Sequence, residues 1–240
     1  VLEVKGLKVM NERGLYAVKG VDLNLREGEI LGIAGVQGNG QRELVEAIVG
    51  LRKVVEGTIK VEGIDVTNKS TSKIYSLGIS YVPDSRRIGL VQDMNVVENA
   101  ILTQLEKTSK SGLILWRIAS AIAEKIVKGY GVITGSLKTK VRNLSGGNQQ
   151  KLMMGREVQK GPKVIIAAEP THGLDVAATR FIREKLLKLR DEGKAILLIS
   201  TDLEEIFQLS DRIAVMYDGR IVAIGEPSDF TLEKIGLLLS

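Results

Sequence analysis

The chain contains no cysteine, which excludes a disulfide framework and any chemistry that depends on a thiolate. Aromatic residues make up only 4%, too few for the stacking platforms that hold single-stranded nucleic acid. Long apolar runs are also missing: Val164–Ala168 and Ala195–Ile199 fall far short of the ~20 residues that cross a bilayer. The chain therefore does not span a membrane by itself. The first residues show no basic stretch followed by an apolar run and a cleavage site, so nothing in them points to export. What is present is a hydrophobic fraction of 44% across 240 residues, enough to bury a sizeable core. The formal charge of +5 is spread along the chain rather than clustered, which argues for a solvated surface and against a dedicated nucleic-acid face.

Period-two segments such as Leu2-Glu3-Val4 and Val21–Leu25 predict half-buried antiparallel strands over Val1–Leu25. Ile30–Ala34 predicts a buried strand that enters the loop Gly35–Gly40, and Glu43–Val49 has helical spacing. Together these form a strand, loop, helix unit. Another strand is expected from Gly57 to Glu62. From about Asn95 to Gly129 apolar residues recur at three- and four-residue spacings, which predicts a helical block, a candidate helical subdomain inserted in an α/β core. Beyond the small, basic linker 131–143, Ser145 is a plausible helix N-cap. Then strand Val164–Ala168, helix Val176–Glu192, strand Ala195–Ser200, helix Leu203–Leu209 and strand Ile213–Met216 alternate, an order that predicts parallel pairing. Asp218-Gly219 signals a hairpin to Arg220–Ile224.

A working phosphate loop needs glycines so that backbone N–H groups can wrap phosphates, a Lys for the β and γ phosphates, and a Ser or Thr for magnesium. Gly35, Gly38 and Gly40 supply the first requirement, but Gln41 stands where the Lys belongs and Arg42 where the hydroxyl belongs. A tight strand-to-helix turn would explain three glycines alone; the flanking strand and helix favour an ancestral nucleotide loop. In the second constellation, a hydrophobic strand runs into Ala168-Glu169-Pro170-Thr171. An Asp at the strand end would normally serve the magnesium shell and a Glu would polarise the attacking water. Ala168 occupies the Asp position and Glu169 keeps the carboxylate, so both protein oxygens expected around the metal are gone and no metal ligand is assigned.

Leu144-Ser145-Gly146-Gly147-Asn148-Gln149-Gln150-Lys151 resembles the signature motif of ABC ATPases. It occurs with Glu169-Pro170-Thr171 and Gly173-Leu174-Asp175 at the downstream distance that family uses. The resemblance covers nearly the whole chain and is nearest to the C-terminal ATP-binding half of importers for simple sugars and nucleosides, through Tyr81–Val91 and Ala167–Thr171. It implies an α/β P-loop NTPase fold with a RecA-like core, an N-terminal antiparallel β-subdomain and an inserted α-helical subdomain. Residues 1–83 and 158–240 are then the core and residues 84–157 the helical part of one domain over 1–240.

The resemblance further implies that ATP contacts Gly35, Val36, Gln37, Gly38, Asn39, Gly40, Gln41 and Arg42, with Tyr16 the nearest aromatic for the adenine. Ser145, Gly146, Gly147 and Asn148 act in trans on the nucleotide of a sister domain in a head-to-tail dimer, and Mg2+ is expected mainly in that sister site. The catalytic positions correspond to Glu169, to Thr201 in place of the switch His, and to Asp84 in place of the Gln that links metal site and permease. The only histidine, His172, is expected to face solvent. Asp84–Val97, with Arg86 and Arg87 at its rim, is the candidate contact for a transmembrane permease served indirectly by an extracytoplasmic binding protein. The implied location is the cytoplasmic face of the membrane, as half of a longer polypeptide. Two other classes compete: a soluble ABC ATPase acting on ribosomes or nucleic acid, which would carry coiled-coil insertions or basic tails, and a structural pseudo-ATPase that never meets nucleotide.

Overall fold

The computed structural model describes Val1–Leu239. In chain order the elements begin with β1 (Leu2–Met10), β2 (Tyr16–Leu25), β3 (Ile30–Ala34), α1 (Gln41–Ile48), β4 (Val54–Val61), β5 (Ile64–Asp65), α2 (Thr71–Ser76) and β6 (Ile79–Val82). Next come α3 (Arg86–Gly89), α4 (Val96–Ile101), α5 (Leu105–Thr108), β7 (Ser109–Lys110), β8 (Leu113–Ile114), α6 (Trp116–Tyr130) and α7 (Gly146–Gln159). The chain continues with β9 (Val164–Ala168), α8 (Val176–Asp191), β10 (Ala195–Ser200), α9 (Leu203–Leu209), β11 (Arg212–Tyr217), β12 (Arg220–Gly225) and α10 (Leu232–Leu238). Internal contacts divide it into two compact units. One comprises Val1–Tyr81, Lys163–Glu169 and Lys185–Ser240, the other Val82–Pro162 and Pro170–Glu184.

The first unit holds an antiparallel sheet in the order β2-β1-β4-β5 and a six-stranded sheet in the order β12-β11-β3-β10-β9-β6. In β1, Leu2 and Val4 are buried while Glu3 and Lys5 are exposed, the alternation that two-faced strands require. β4 starts at Val54 rather than at Gly57, which lies inside the strand at φ 92. A side chain on Gly57 would sit 2.5 Å from the carbonyl oxygens of Lys5 and Gly6, where the β1–β4 register shifts. The glycine marks a bulge, not a boundary. β3, β9 and β10 are buried along their whole length, as strands covered on both faces must be. β10 pairs in parallel with β3 and with β9, and β11 pairs in parallel with β3. β12 folds back antiparallel through Asp218 and Gly219, both at positive φ.

In the second unit α4, α6 and α7 pack on one another. Asn95 caps α4 reciprocally with Glu98: its Oδ1 accepts the Glu98 N–H at 3.0 Å, and Glu98 Oε2 accepts the Asn95 N–H at 2.7 Å. Ala119, Ala123 and Ile126 of α6 and Leu152, Met153 and Met154 of α7 are all buried, each large one contributing about 1.5–3 kcal/mol. The Tyr130 ring meets Phe181 edge-on at 6.3 Å, a favoured aromatic geometry. A buried charge cluster ties Glu157 to Arg156, to Lys160 and to Thr103. Burial holds the Lys160 ammonium below its usual value. The helical block expected over Asn95–Gly129 is interrupted by the β7–β8 hairpin. Ser111 and Gly112 at its tip both have positive φ, the turn that a two-residue hairpin needs.

α6 and α7 approach closely at Gly155, where a side chain would come within 2.6 Å of Ile126 Cγ2 and 2.8 Å of Tyr130 Cδ2. Forcing atoms into such a contact costs about 1–3 kcal/mol. Gly155→Val should therefore lower the urea unfolding midpoint of the purified chain; an unchanged midpoint would show that α6 and α7 can part freely.

Candidate functional site

The register of the six-stranded sheet positions the first group of candidate residues, in the first unit. Ser200 stands opposite Ala34, and Ile199 opposite both Ile33 and Ala168. The loops that leave the carboxyl ends of β3, β9 and β10 thus emerge side by side, where ligands of parallel sheets bind. Gly35–Gly40 leaves β3, Glu169 follows β9 and Thr201 follows β10.

The glycine loop is closed by its own side chains. Gln41 is 8% exposed, and its Nε2 donates to the Val36 carbonyl at 2.9 Å, so the side chain turns back across the loop. Asn39 Nδ2 donates to the same carbonyl at 3.3 Å. Asn39 Oδ1 accepts the Asp218 N–H at 3.0 Å, and its carbonyl accepts the Gly219 N–H at 3.0 Å. Arg42 points elsewhere, with Nε 2.7 Å from Glu46 Oε1 one turn along α1. Val36, Gln37 and Gly38 are exposed. Gly40 caps α1 at φ 98, and a side chain there would collide with the Ala17 carbonyl oxygen. That contact brings β2 against the loop, beside Tyr16, which is 41% exposed.

Glu169 has φ 45, a left-handed conformation that costs a residue with a Cβ about 1–2 kcal/mol. Its Oε1 accepts the Thr201 N–H at 2.7 Å and its Oε2 accepts the Thr201 hydroxyl at 3.3 Å. The two positions singled out in the sequence are in direct contact, and both carboxylate oxygens are engaged. Ala168 is buried at the strand end. Among the described residues no group of three or more His, Cys, Asp or Glu could hold a metal. With Arg42 paired to Glu46 and a methyl group at Ala168, the residues beside this loop do not fit Mg2+ as protein ligands.

A separate group of candidate residues lies in the second unit. Ser145 is exposed and caps α7, its Oγ accepting the Asn148 N–H at 3.4 Å and the Asn148 side-chain amide at 2.9 Å. Both bonds use the oxygen as acceptor, which leaves the hydroxyl proton to donate. Asn148 Oδ1 accepts the Ile133 N–H at 2.8 Å. Gly147 is buried, and a side chain there would come within 2.9 Å of Ala178 Cβ at the start of α8. The first N–H groups of a helix lack intrahelical acceptors and carry its positive end, so this helix start is a built anion acceptor.

Asp84, exposed, lines a cavity of about 500 Å³ with Ser85, Arg86, Arg87, Gln92 and Gly146, closed by Gln149 and His172. His172 is exposed, as its loop position implied, and its carbonyl accepts Arg86 Nη1 at 3.1 Å. Sequence reading missed Gln92 and Gln149. Gln149 lies one helical turn after Ser145, a spacing that could have placed it on the same face of α7.

Gly38 and Gly40 separate two kinds of constraint. Both have positive φ, but a side chain on Gly38 meets nothing within 4 Å. Gly38→Ala should cost about 1 kcal/mol and Gly40→Ala at least about twice that, since overpacking adds to strain. Equal shifts in unfolding midpoint would mean that β2 does not press on the loop.

Comparisons with known proteins bear on the family and the fold. The ABC transporter family matches residues 18–172. The guanosine import ATP-binding protein NupO of Bacillus subtilis is 44% identical, the match covering 100% of this chain and 48% of that protein. The nucleoside import ATP-binding protein NupA of Lactococcus lactis is 43% identical, with coverages of 100% and 48%. The chain thus spans about half the length of the curated relatives it matches. Among solved structures, the ATP-binding cassette MJ0796, in a dimeric post-hydrolysis state bound to ADP and Pi, superposes with a TM-score of 0.82 at 25% identity, covering 95% of this chain and 99% of that one. On the family match, the relatives and the fold together, this chain belongs to the ABC transporter ATP-binding family.

Proposed function

We propose that this chain is the ATP-binding half of an importer for nucleosides or simple sugars, and that its two phosphate-facing elements have parted ways. Its own glycine loop is idle, while the start of α7 completes the active site of a sister domain in a head-to-tail dimer. The observation that carries the reading is the contrast between Gln41, folded onto the Val36 carbonyl inside its loop, and Ser145, exposed with its hydroxyl proton available. The relatives that match the whole chain are import proteins for guanosine and nucleosides, and a matching cassette is dimeric with ADP and Pi bound.

The magnitudes favour an idle loop. Losing one preorganised donor costs about 3–4 kcal/mol of transition-state stabilisation, and each ~1.4 kcal/mol is tenfold in rate. Here the cationic Lys, the metal-binding hydroxyl, the metal carboxylate and the switch imidazole are replaced by Gln41, Arg42, Ala168 and Thr201. Even with strong non-additivity, Glu169 cannot restore turnover, because a lone carboxylate replaces neither the missing cation nor the missing metal ligands. On this reading the sister domain supplies the Lys, the metal ligands and the catalytic carboxylate. This chain supplies Ser145, Gly146, Gly147 and Asn148, which orient the terminal phosphate and exclude water from one side. The segment from Asp84 to Val97 receives a permease helix, and the assembly sits at the cytoplasmic face of the membrane.

In the assembled transporter, Ser145→Arg should abolish ATP turnover and Gln41→Ala should change it less than about threefold, as measured by phosphate release. The reverse ranking would overturn the division of labour. Magnesium-dependent hydrolysis by the purified chain alone should stay at background.

A further inference from the structure

The second unit contains a set of polar contacts that none of these roles uses. Arg86 opens α3, a single turn seated on α7: a side chain on Gly89 would collide with Met153 Sδ and come within 2.9 Å of Pro83 Cγ. From this anchored turn the Arg86 side chain reaches two segments. Its Nη1 donates to the His172 carbonyl at 3.1 Å. Its Nη2 stands over Gly146, 3.5 Å from the position a Cβ would take, and 3.8 Å from the equivalent position at Gly173. The Arg86 carbonyl accepts Gln92 Nε2 at 3.4 Å, and the same Nε2 lies 3.4 Å from Gln149 Oε1. Gln149 Nε2 then donates to the carbonyls of Val141 and Leu144 at 3.1 Å each, directly ahead of Ser145.

Three segments far apart in sequence, 84–92, 141–146 and 172–173, are therefore joined through Arg86 and the two glutamines. A guanidinium beside the positive end of a helix is electrostatically unfavourable, so its placement is fixed by these acceptors and not by attraction to α7. Only a planar fork can address the His172 carbonyl and cover Gly146 together; a lysine ammonium is a point donor. Arg87, the next residue, is exposed and lines the same cavity.

We infer that Arg86 is a positioning residue that makes the start of α7 and the His172–Gly173 turn move with the 84–92 segment, so that engagement of that segment by the permease sets the alignment of Ser145. The inference rests on the proposed function, which assigns the permease contact to 84–97 and the trans site to α7. A physical link of this kind predicts coupling between the two places, not a loss of either one.

The test is the transporter reconstituted in proteoliposomes, with ATP turnover measured with and without the ligand-loaded binding protein. Arg86→Ala should reduce the stimulation by the loaded protein at least fivefold relative to the unmodified transporter, and Gln92→Leu should do the same. The double variant should be no worse than either single one, since both break the same path. Arg117→Ala, which removes an exposed cation on α6 outside the 84–97 segment, should keep the stimulation within twofold, and Arg86→Lys should recover only part of it. If Arg86→Ala fails to assemble, Arg86→Gln carries the same expectation. Stimulation retained within twofold in Arg86→Ala or its substitute, or lost equally in Arg117→Ala, would overturn the inference. Undiminished total turnover in Ser145→Arg would instead overturn the reading beneath it, and the two failures differ because one appears in total turnover and the other only in the ratio.

Discussion

The parallel pairing of β10 between β3 and β9 is the constraint on which the rest of the first unit depends. Side chains alternate along a strand, so a slip of one residue would move every side chain to the opposite face of the sheet and mismatch its packing. With all three strands buried on both faces, the register that sets Ser200 beside Ala34 and Ile199 beside Ala168 is held by the whole hydrophobic interior. That register brings Thr201 to Glu169 and places both at the same carboxyl end of the sheet as the glycine loop. The contact between them is inherited from strand pairing and needs no special loop conformation beyond the left-handed backbone of Glu169.

The second unit is organised differently, by small residues that let helices touch. Gly89 admits α3 onto α7, Gly147 admits the start of α8, and Gly155 admits α6. All three sit on or against α7, so the helix that presents Ser145 is gripped from several sides. Its exposed start is therefore carried on a rigid base. On the proposed function, in which the start of α7 meets a sister domain's phosphate, that rigidity helps, because little ordering entropy remains to be lost on contact.

Much of this was legible in the residues themselves, and the boundary between what was and was not legible is physical. The buried strands, the parallel order and the cap at Ser145 are local or periodic properties, and each appears in the structure where the pattern put it. The β7–β8 hairpin was missed because its strands are only two residues long, too short for a period to register, although Ser111-Gly112 carried the turn signal. The bulge at Gly57 was read as a strand start because a glycine within a strand and a glycine before one look alike in sequence. Substitution at positions 41 and 42 was readable, yet the fold of Gln41 onto Val36 depends on three-dimensional closure of the loop. The links from Arg86, Gln92 and Gln149 reach as far as the 86 positions between Arg86 and His172, and no spacing rule reaches that far.

The bond from Arg86 to residue 172 ends on a peptide oxygen, while the imidazole faces solvent. Any amino acid that leaves the backbone direction intact would serve as well there. Position 172 is thus free to drift in chemical identity without disturbing what it holds, and a survey of side chains alone would pass over it as neutral ground.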